Sequence, residues 1–293
     1  MFKVVLFSVL LSLSILCWGK EEEKKEEPPP VGNFSVPVVT QISPLISFGQ
    51  LLVGENAFLS EVSGFYDQTH HGYSNVIEPN AIYGIRDDMS LFFIVPFSLK
   101  SKEGSSHSSG TEDILLQYEY GFYHRTKKEY TLLSTVVANV QFPAGSSIKK
   151  PPTGTGWFTY FLGTTFSYMS SNWYAFFSSG ANFPSAHHGT KFGNAYLYQC
   201  GFARYIKQLS PPGCIFDLMI EFDGTYSQKD RLAHVVDRHS GGNAIFVTPS
   251  IWLSSKSWLL QSGASFPILQ NLNGDQDKIK YSINYAFGVA FQF

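Results

Sequence analysis

The chain has 293 residues, 44% of them hydrophobic and 16% aromatic, with only 15% charged and a formal net charge of −2. That balance excludes a polycationic nucleic-acid binder and is poor in charge for the surface of a water-soluble enzyme. After the first twenty residues no uninterrupted apolar stretch reaches the roughly eighteen residues a membrane-spanning helix needs.

Residues 1–19 combine Lys3, an apolar run from Val4 to Leu16 and small residues near Gly19, the pattern of a secretory signal peptide cleaved after Gly19. A lipidated Cys17 is the alternative, which Leu16 fits poorly. Lys20–Pro30 (KEEEKKEEPPP) is a charge run closed by three prolines. It can bury nothing, so residues 20–33 read as a periplasmic lead-in. Residues 34–55 are expected as an N-terminal segment inside or below the following domain, which occupies 56–293.

From Phe34 onward no helical periodicity is sustained over three turns. Alternating segments of roughly ten residues appear instead, the length of a tilted membrane-crossing strand. They fall at about 56–66, 75–86, 88–98, 110–123, 130–141, 156–169, 173–183, 192–205, 214–228, 241–253, 257–266 and 280–292. Connections after even segments are short, and those after odd segments are longer and polar. This predicts an all-β fold: a transmembrane antiparallel β-barrel of about twelve strands, with short periplasmic turns and longer extracellular loops. The pairs Pro96-Phe97, Phe142-Pro143, Phe183-Pro184 and Phe266-Pro267 are expected at outer strand ends, where proline stops the ladder and the aromatic ring stands at interface height.

The last segment, Lys280–Phe293 (KYSINYAFGVAFQF), shows the alternation most strictly. Aromatic and branched residues share one face; Lys280, Ser282, Asn284, Ala286 and Gly288 share the other. A closing strand ending on Phe293 is the expected signal for the barrel-assembly machinery. In the ninth segment Phe216, Leu218, Ile220 and Phe222 oppose Asp217, Glu221 and Asp223. A carboxylate facing lipid is costly, so the acids are assigned to the lumen. The same rule gives a candidate lumen lining of Glu78, Asn80, Gln117, Glu119, Asn139, Arg204, Asp217, Glu221, Asp223, Lys280 and Asn284. Segment three (MSLFFIVPFSLK) is apolar on both faces, so its inner side needs a cover.

Cys200 and Cys214 form a possible disulfide in an oxidising compartment, two separate thiols on neighbouring strands being the alternative. All histidines but His124 fall in predicted outer loops, and none forms a catalytic triad with a Ser or acid. The His70-His71 and His187-His188 pairs lack a Cys or carboxylate at ligand spacing, so no metal or cofactor is expected and the chain is not read as an enzyme.

Four tracts resemble one family. Tyr83–Phe93 (YGIRDDMSLFF) is similar to its strand–tight turn–strand element, and Gly110–Tyr120 (GTEDILLQYEY) to its Gly-x-x-Asp-Leu-x-Leu strand. Val140–Gly145 (VQFPAG) resembles its Phe-Pro-x-Gly strand end, and Gly154–Tyr168 the Gly-x-Gly tract entering the next strand. These resemble the outer-membrane proteins grouped as the MetA-pathway of phenol degradation, across roughly residues 56–293. Thr111-Glu112 departs from the usual Leu-Gly of that family without disturbing the strand. The resemblance implies an outer-membrane barrel with a transport role and carries no phenolic substrate to this chain.

The reading is a porin-like transmembrane barrel of a Gram-negative outer membrane, a passive channel or uptake transporter for small solutes through a polar, mildly acidic lumen. A filled structural or adhesin-like barrel acting through its outer loops is the alternative, with an outer-membrane hydrolase behind it. Expected partners are outer-membrane lipid and lipopolysaccharide, the assembly machinery and a small-molecule solute, with no nucleic acid.

Overall fold

A computed structural model describes residues 32–186, 189–209 and 213–292. The expected signal peptide, most of the expected lead-in, His187-His188, residues 210–212 and Phe293 lie outside the described residues. Two short 3-10 turns, Gly32–Ser35 and Val38–Thr40, precede the strands. β1 (Ala57–Thr69), β2 (Gly72–Arg86), β3 (Met89–Ile94), β4 (Phe97–Glu103), β5 (Ser106–Thr111), β6 (Ile114–Thr126), β7 (Tyr130–Phe142) and β8 (Thr159–Ser170) form the first half. β9 (Trp173–Pro184), β10 (Ala195–Leu209), β11 (Cys214–Ser227), β12 (Arg231–Leu232), β13 (Val235–Val236), β14 (Gly242–Ser254), β15 (Trp258–Leu272) and β16 (Ile279–Gln292) complete it.

One antiparallel sheet of fourteen strands closes on itself because β1 pairs with both β2 and β16. β3 and β4 both pair along β2, so together they make one wall position; β5 and β6 make the next. The wall is therefore a closed barrel of twelve strands. Closure removes the exposed edges an open sheet would present. β12 and β13 form a separate small hairpin in the loop between β11 and β14.

Period two sorts the side chains. In β11, Asp217, Met219, Glu221 and Asp223 are buried inside, whereas Leu218 and Ile220 are exposed. Leu162, Phe177, Phe202, Ile251, Phe266 and Phe287 are likewise exposed on the outer wall, an apolar belt too extensive for an ordinary soluble surface. No described helix is long and apolar enough to cross a membrane, which leaves strand crossing untouched.

Two of the four proline pairs behave differently from the expectation. Phe142 and Pro184 do end β7 and β9. Pro96 instead breaks the ladder between β3 and β4, and Pro267 sits opposite Phe246 at a register shift within β15, whose strand runs on to Leu272. A bulge leaves the missing N–H unneeded, so the strand resumes beyond the proline. The predicted loop at 99–109 is the β4–β5 hairpin, and β1 and β2 meet across only residues 70 and 71.

Candidate functional site

The lumen is occupied by the chain's own N-terminal segment. Asn33 enters beside the turn between β8 and β9, its N–H donating to the Ser171 carbonyl at 3.0 Å. The segment then follows the inner wall strand by strand. Gln261 of β15 donates to the Ser43 carbonyl at 3.2 Å. Glu221 of β11 accepts three successive backbone N–H groups, from Leu45 at 2.8 Å, Ile46 at 3.3 Å and Ser47 at 3.1 Å. The Ser47 hydroxyl bridges Glu221 and Asp223, at 3.0 and 2.7 Å. Phe48 donates its N–H to Gln199 of β10, and its carbonyl accepts from Ser178 of β9.

The path then turns. Gly49 and Gln50 have φ of 82° and 65°, the left-handed region. A Cβ on Gly49 would lie 2.4 Å from Thr165 Cγ2, so both the conformation and the space there favour glycine. This turn aims the N–H groups of Gln50 and Leu51 at the two oxygens of Glu119 in β6, at 2.9 and 3.0 Å. Val53 N–H then donates to Ser90 of β3, and Glu55 N–H to Asp87 in the turn between β2 and β3. The segment thus crosses the lumen from β15 round to β3 and leaves at the turn end to begin β1.

Charge and shape both hold it. Glu119 and Glu221 are fully buried, and no Lys or Arg pairs with either among the described residues. Their countercharge is a run of oriented backbone N–H dipoles, an anion-binding nest formed by the plug. Thr135 adds a hydroxyl to Glu119 at 2.6 Å. Apolar contact comes from Ile42 and Val53, buried with Leu59, Ile82, Tyr174, Phe176, Met219 and Trp252. Phe48 meets Phe161 edge-on at 4.6 Å. Leu51 and Phe92 pack against the same cluster, so the inner apolar face of β3 is covered by the plug.

Most candidate lumen residues lie on the inner face, but they divide by role. Glu119, Glu221 and Asp223 hold the plug. Gln117 is buried and accepts from Asn139 at 3.5 Å. Toward the loop end Asn80 donates to Glu61 and Ser63, each at 3.1 Å, Ser63 contacts Glu78 at 3.4 Å, and Asn284 donates to Ser265 at 2.9 Å. Asp217 is 0% exposed and neither carboxylate oxygen has a protein partner. Lys280 is exposed at the loop end of β16. Arg204 is not in the lumen. It is exposed on the outer wall with its guanidinium 5.1 Å over the Trp173 ring, because Gln199, Gly201 and Ala203 take the inner positions of β10. Aromatic Tyr196, Tyr198 and Phe202 masked that alternation.

Cys200 and Cys214 are free. Cys200 faces Phe222, and Cys214 lies eight residues further along β11, a separation of roughly 26 Å that no disulfide spans. Gln199, Ser90 and Asp87 are plug anchors that composition did not single out. Among the described residues no group of three or more His, Cys, Asp or Glu side chains is arranged for a metal ion.

At the loop end, Asp113 ties down the segment between β7 and β8. It accepts the N–H of Gly145 at 3.0 Å, and the N–H and hydroxyl of Thr155, both at 2.7 Å. Three of the tracts that carry the family resemblance therefore meet at one buried carboxylate.

No family model matches the sequence, and no curated protein matches it. In fold the chain is similar to the COG4313 outer membrane channel from Pseudomonas putida F1, with 14% identity and a TM-score of 0.69 over 86% of this chain and 100% of that one. It is more distantly similar to the NanC porin, with 9% identity and a TM-score of 0.49 over 80% of this chain and 100% of that one. The closed twelve-strand wall and the fold shared with the COG4313 channel give the architecture of an outer-membrane barrel.

Proposed function

We propose that the chain is a channel of the bacterial outer membrane, held closed in this conformation by its N-terminal segment, for small polar or cationic solutes. The observation that carries the reading is the manner of closure. Residues 43–55 lie against Glu221, Gln199, Glu119 and Ser90 mainly through their own backbone N–H groups. Water supplies the same hydrogen bonds once the segment leaves, so the wall behind it is fit for both states.

The wall chemistry supports this reading. Thr135, Thr165, Ser178, Thr248, Ser250 and Ser254 are buried inward-facing hydroxyls, a costly lining for a barrel meant to stay dry. Asp67, Glu78 and Glu61 stand above the plug on the inner faces of β1 and β2, an acidic bias that favours cations over anions. The apolar outer belt and the fold of the solved channel support the membrane placement.

The test is conductance in planar bilayers. Full-length protein is expected to be mostly closed, and a variant lacking residues 34–53 to conduct steadily with cation preference. Absence of current from the deletion variant, with the barrel shown folded, would leave a filled barrel acting through its outer loops. The aromatic and aliphatic packing of Ile42, Phe48 and Val53 is the feature that favours that second reading.

A further inference from the structure

The β4–β5 side of the loop end carries a cleft separate from the lumen. The β4–β5 hairpin and the segment after β7 enclose a cleft of about 490 Å³, lined by Leu99, Lys100, His107, Ser108, Ser109, Lys149 and Lys150. Two bonds join its sides: Lys149 Nζ donates to the Ser109 carbonyl at 2.6 Å, and the Ser108 hydroxyl to the Pro151 carbonyl at 2.7 Å. The lining holds three lysines and a histidine and no carboxylate. Across the whole chain acids outnumber Lys and Arg, 23 to 21, so this concentration of one sign is local.

Its setting is amphipathic. Leu99, beside Lys100, is 54% exposed, and Ile148, beside Lys149, is 90% exposed. Phe97 stands on the same outward face, two residues (about 7 Å) below Leu99. Leu99 and Lys100 are the bulged residues of β4, where the β4–β5 register slips between Ser98 and Ser101 beside the cleft. Lys100 and Lys150 form no ion pair among the described residues. Cations with three donors each, next to exposed aliphatic groups and just above the apolar belt, match the junction of a phosphate headgroup with its acyl chains.

We propose that this cleft binds the phosphorylated headgroup of an outer-leaflet lipid, with Lys100 and Lys150 on the phosphate and Leu99 and Ile148 against the chains. The proposal rests on the membrane placement above and is independent of whether the lumen conducts. Ile148 favours a lipid over free phosphate, because an aliphatic side chain exposed to this degree gains nothing from an inorganic ion.

The experiment uses full-length protein folded in detergent and native mass spectrometry with bisphosphorylated lipid A, the same lipid dephosphorylated, and inorganic phosphate. Wild type is expected to retain the phosphorylated lipid about tenfold better than the dephosphorylated one. The double variant K100Q/K150Q, which spares the Lys149 bond, is expected to lose that preference, and K100R/K150R to keep it. Heat-modifiable gel mobility reports folding of each variant independently of conductance. Equal retention of the two lipids by wild type, or an unchanged preference in the folded Gln variant, overturns the proposal. Displacement of the lipid by inorganic phosphate at matched concentration also overturns it, by assigning the cleft to free phosphate.

Discussion

The carboxylate of Glu221, in the wall, accepts the backbone N–H of Leu45, in the plug, at 2.8 Å across 176 residues of sequence. Ile46 and Ser47 add their N–H groups to the same carboxylate. This places the strongest part of the closure on one side chain. Glu221→Ala leaves three N–H donors and a hydroxyl without that acceptor, and each charge-assisted bond contributes about 1.5–3 kcal/mol. Loss of even one shifts the plug equilibrium by roughly tenfold or more. The expected result is a rise in open probability in planar bilayers, smaller for Glu221→Gln, which keeps one acceptor oxygen. An unchanged open probability in the Ala variant would mean that the carboxylate does not hold the plug.

Closure can also be disturbed without touching charge. A Cβ on Gly84 would lie 2.0 Å from the backbone oxygen of Gly54, where the plug leaves the barrel. Backbone cannot yield as a flexible side chain does, and Asn56 N–H is bonded to the Gly84 carbonyl at 2.9 Å in the same place. Gly84→Ala is therefore expected to cost about 1–3 kcal/mol in plug docking, with the barrel still folded. Protease cleavage near residues 50–56 should speed up while heat-modifiable mobility stays as in wild type; equal cleavage rates would contradict the steric argument.

The wall was legible in the sequence because its signal is physical: one face meets an apolar surround and the other a polar interior, so strands such as β11 and β16 alternate. The hairpin of β4 and β5 was not, because SLKSKE and SHSSGT stand where little of either face is apolar and the period disappears. Arg204 was misplaced because Tyr196, Tyr198 and Phe202 obscured which parity of β10 faces in. Glu119, Glu221 and Asp223 were found as inner residues, but not as anchors. Their partners are backbone N–H groups of residues 45–51, which leave no mark in a sequence. Only Gly49, at a left-handed turn beside Glu119, marked the path, and a lone glycine says too little.

The outer face gives a stability prediction. Ile220 lies near the middle of β11 between Phe202 of β10 and Pro249 of β14, pointing away from the lumen. Ile220→Arg is expected to destabilise the barrel in lipid vesicles by about 2–4 kcal/mol, the cost of a cation at mid-depth of the hydrocarbon. Ile220→Val, which keeps the face apolar, should cost about 0.5–1.5 kcal/mol. Urea unfolding in vesicles measures both. Equal effects would mean that Ile220 meets water and that the membrane placement of this face is wrong.

The loop end gives a pH prediction through Asp277, which lies in the connection between β15 and β16. Partial burial works to raise its pKa, but the Thr69 hydroxyl, the His71 N–H and ring, and the His70 N–H together outweigh that and hold it below the ordinary 3.8. The His71 ring nitrogen lies 3.1 Å from its carboxylate. A carboxyl whose folded pKa is lowered contributes stability that is fully present above the ordinary value and is lost as pH falls through the folded one. The link from the β1–β2 turn to this connection should therefore hold from neutral pH down to about 4 and loosen below it. Amide protection at His70 and His71, corrected for intrinsic exchange rate, should fall over that lower range in wild type. In Asp277→Asn it should already be reduced at neutral pH and respond little to acid, because the neutral amide keeps the shape of the carboxyl but not the charge that the N–H groups favour. Protection in wild type that is flat down to pH 2 would show that the ionised carboxylate does not tie the two turns together.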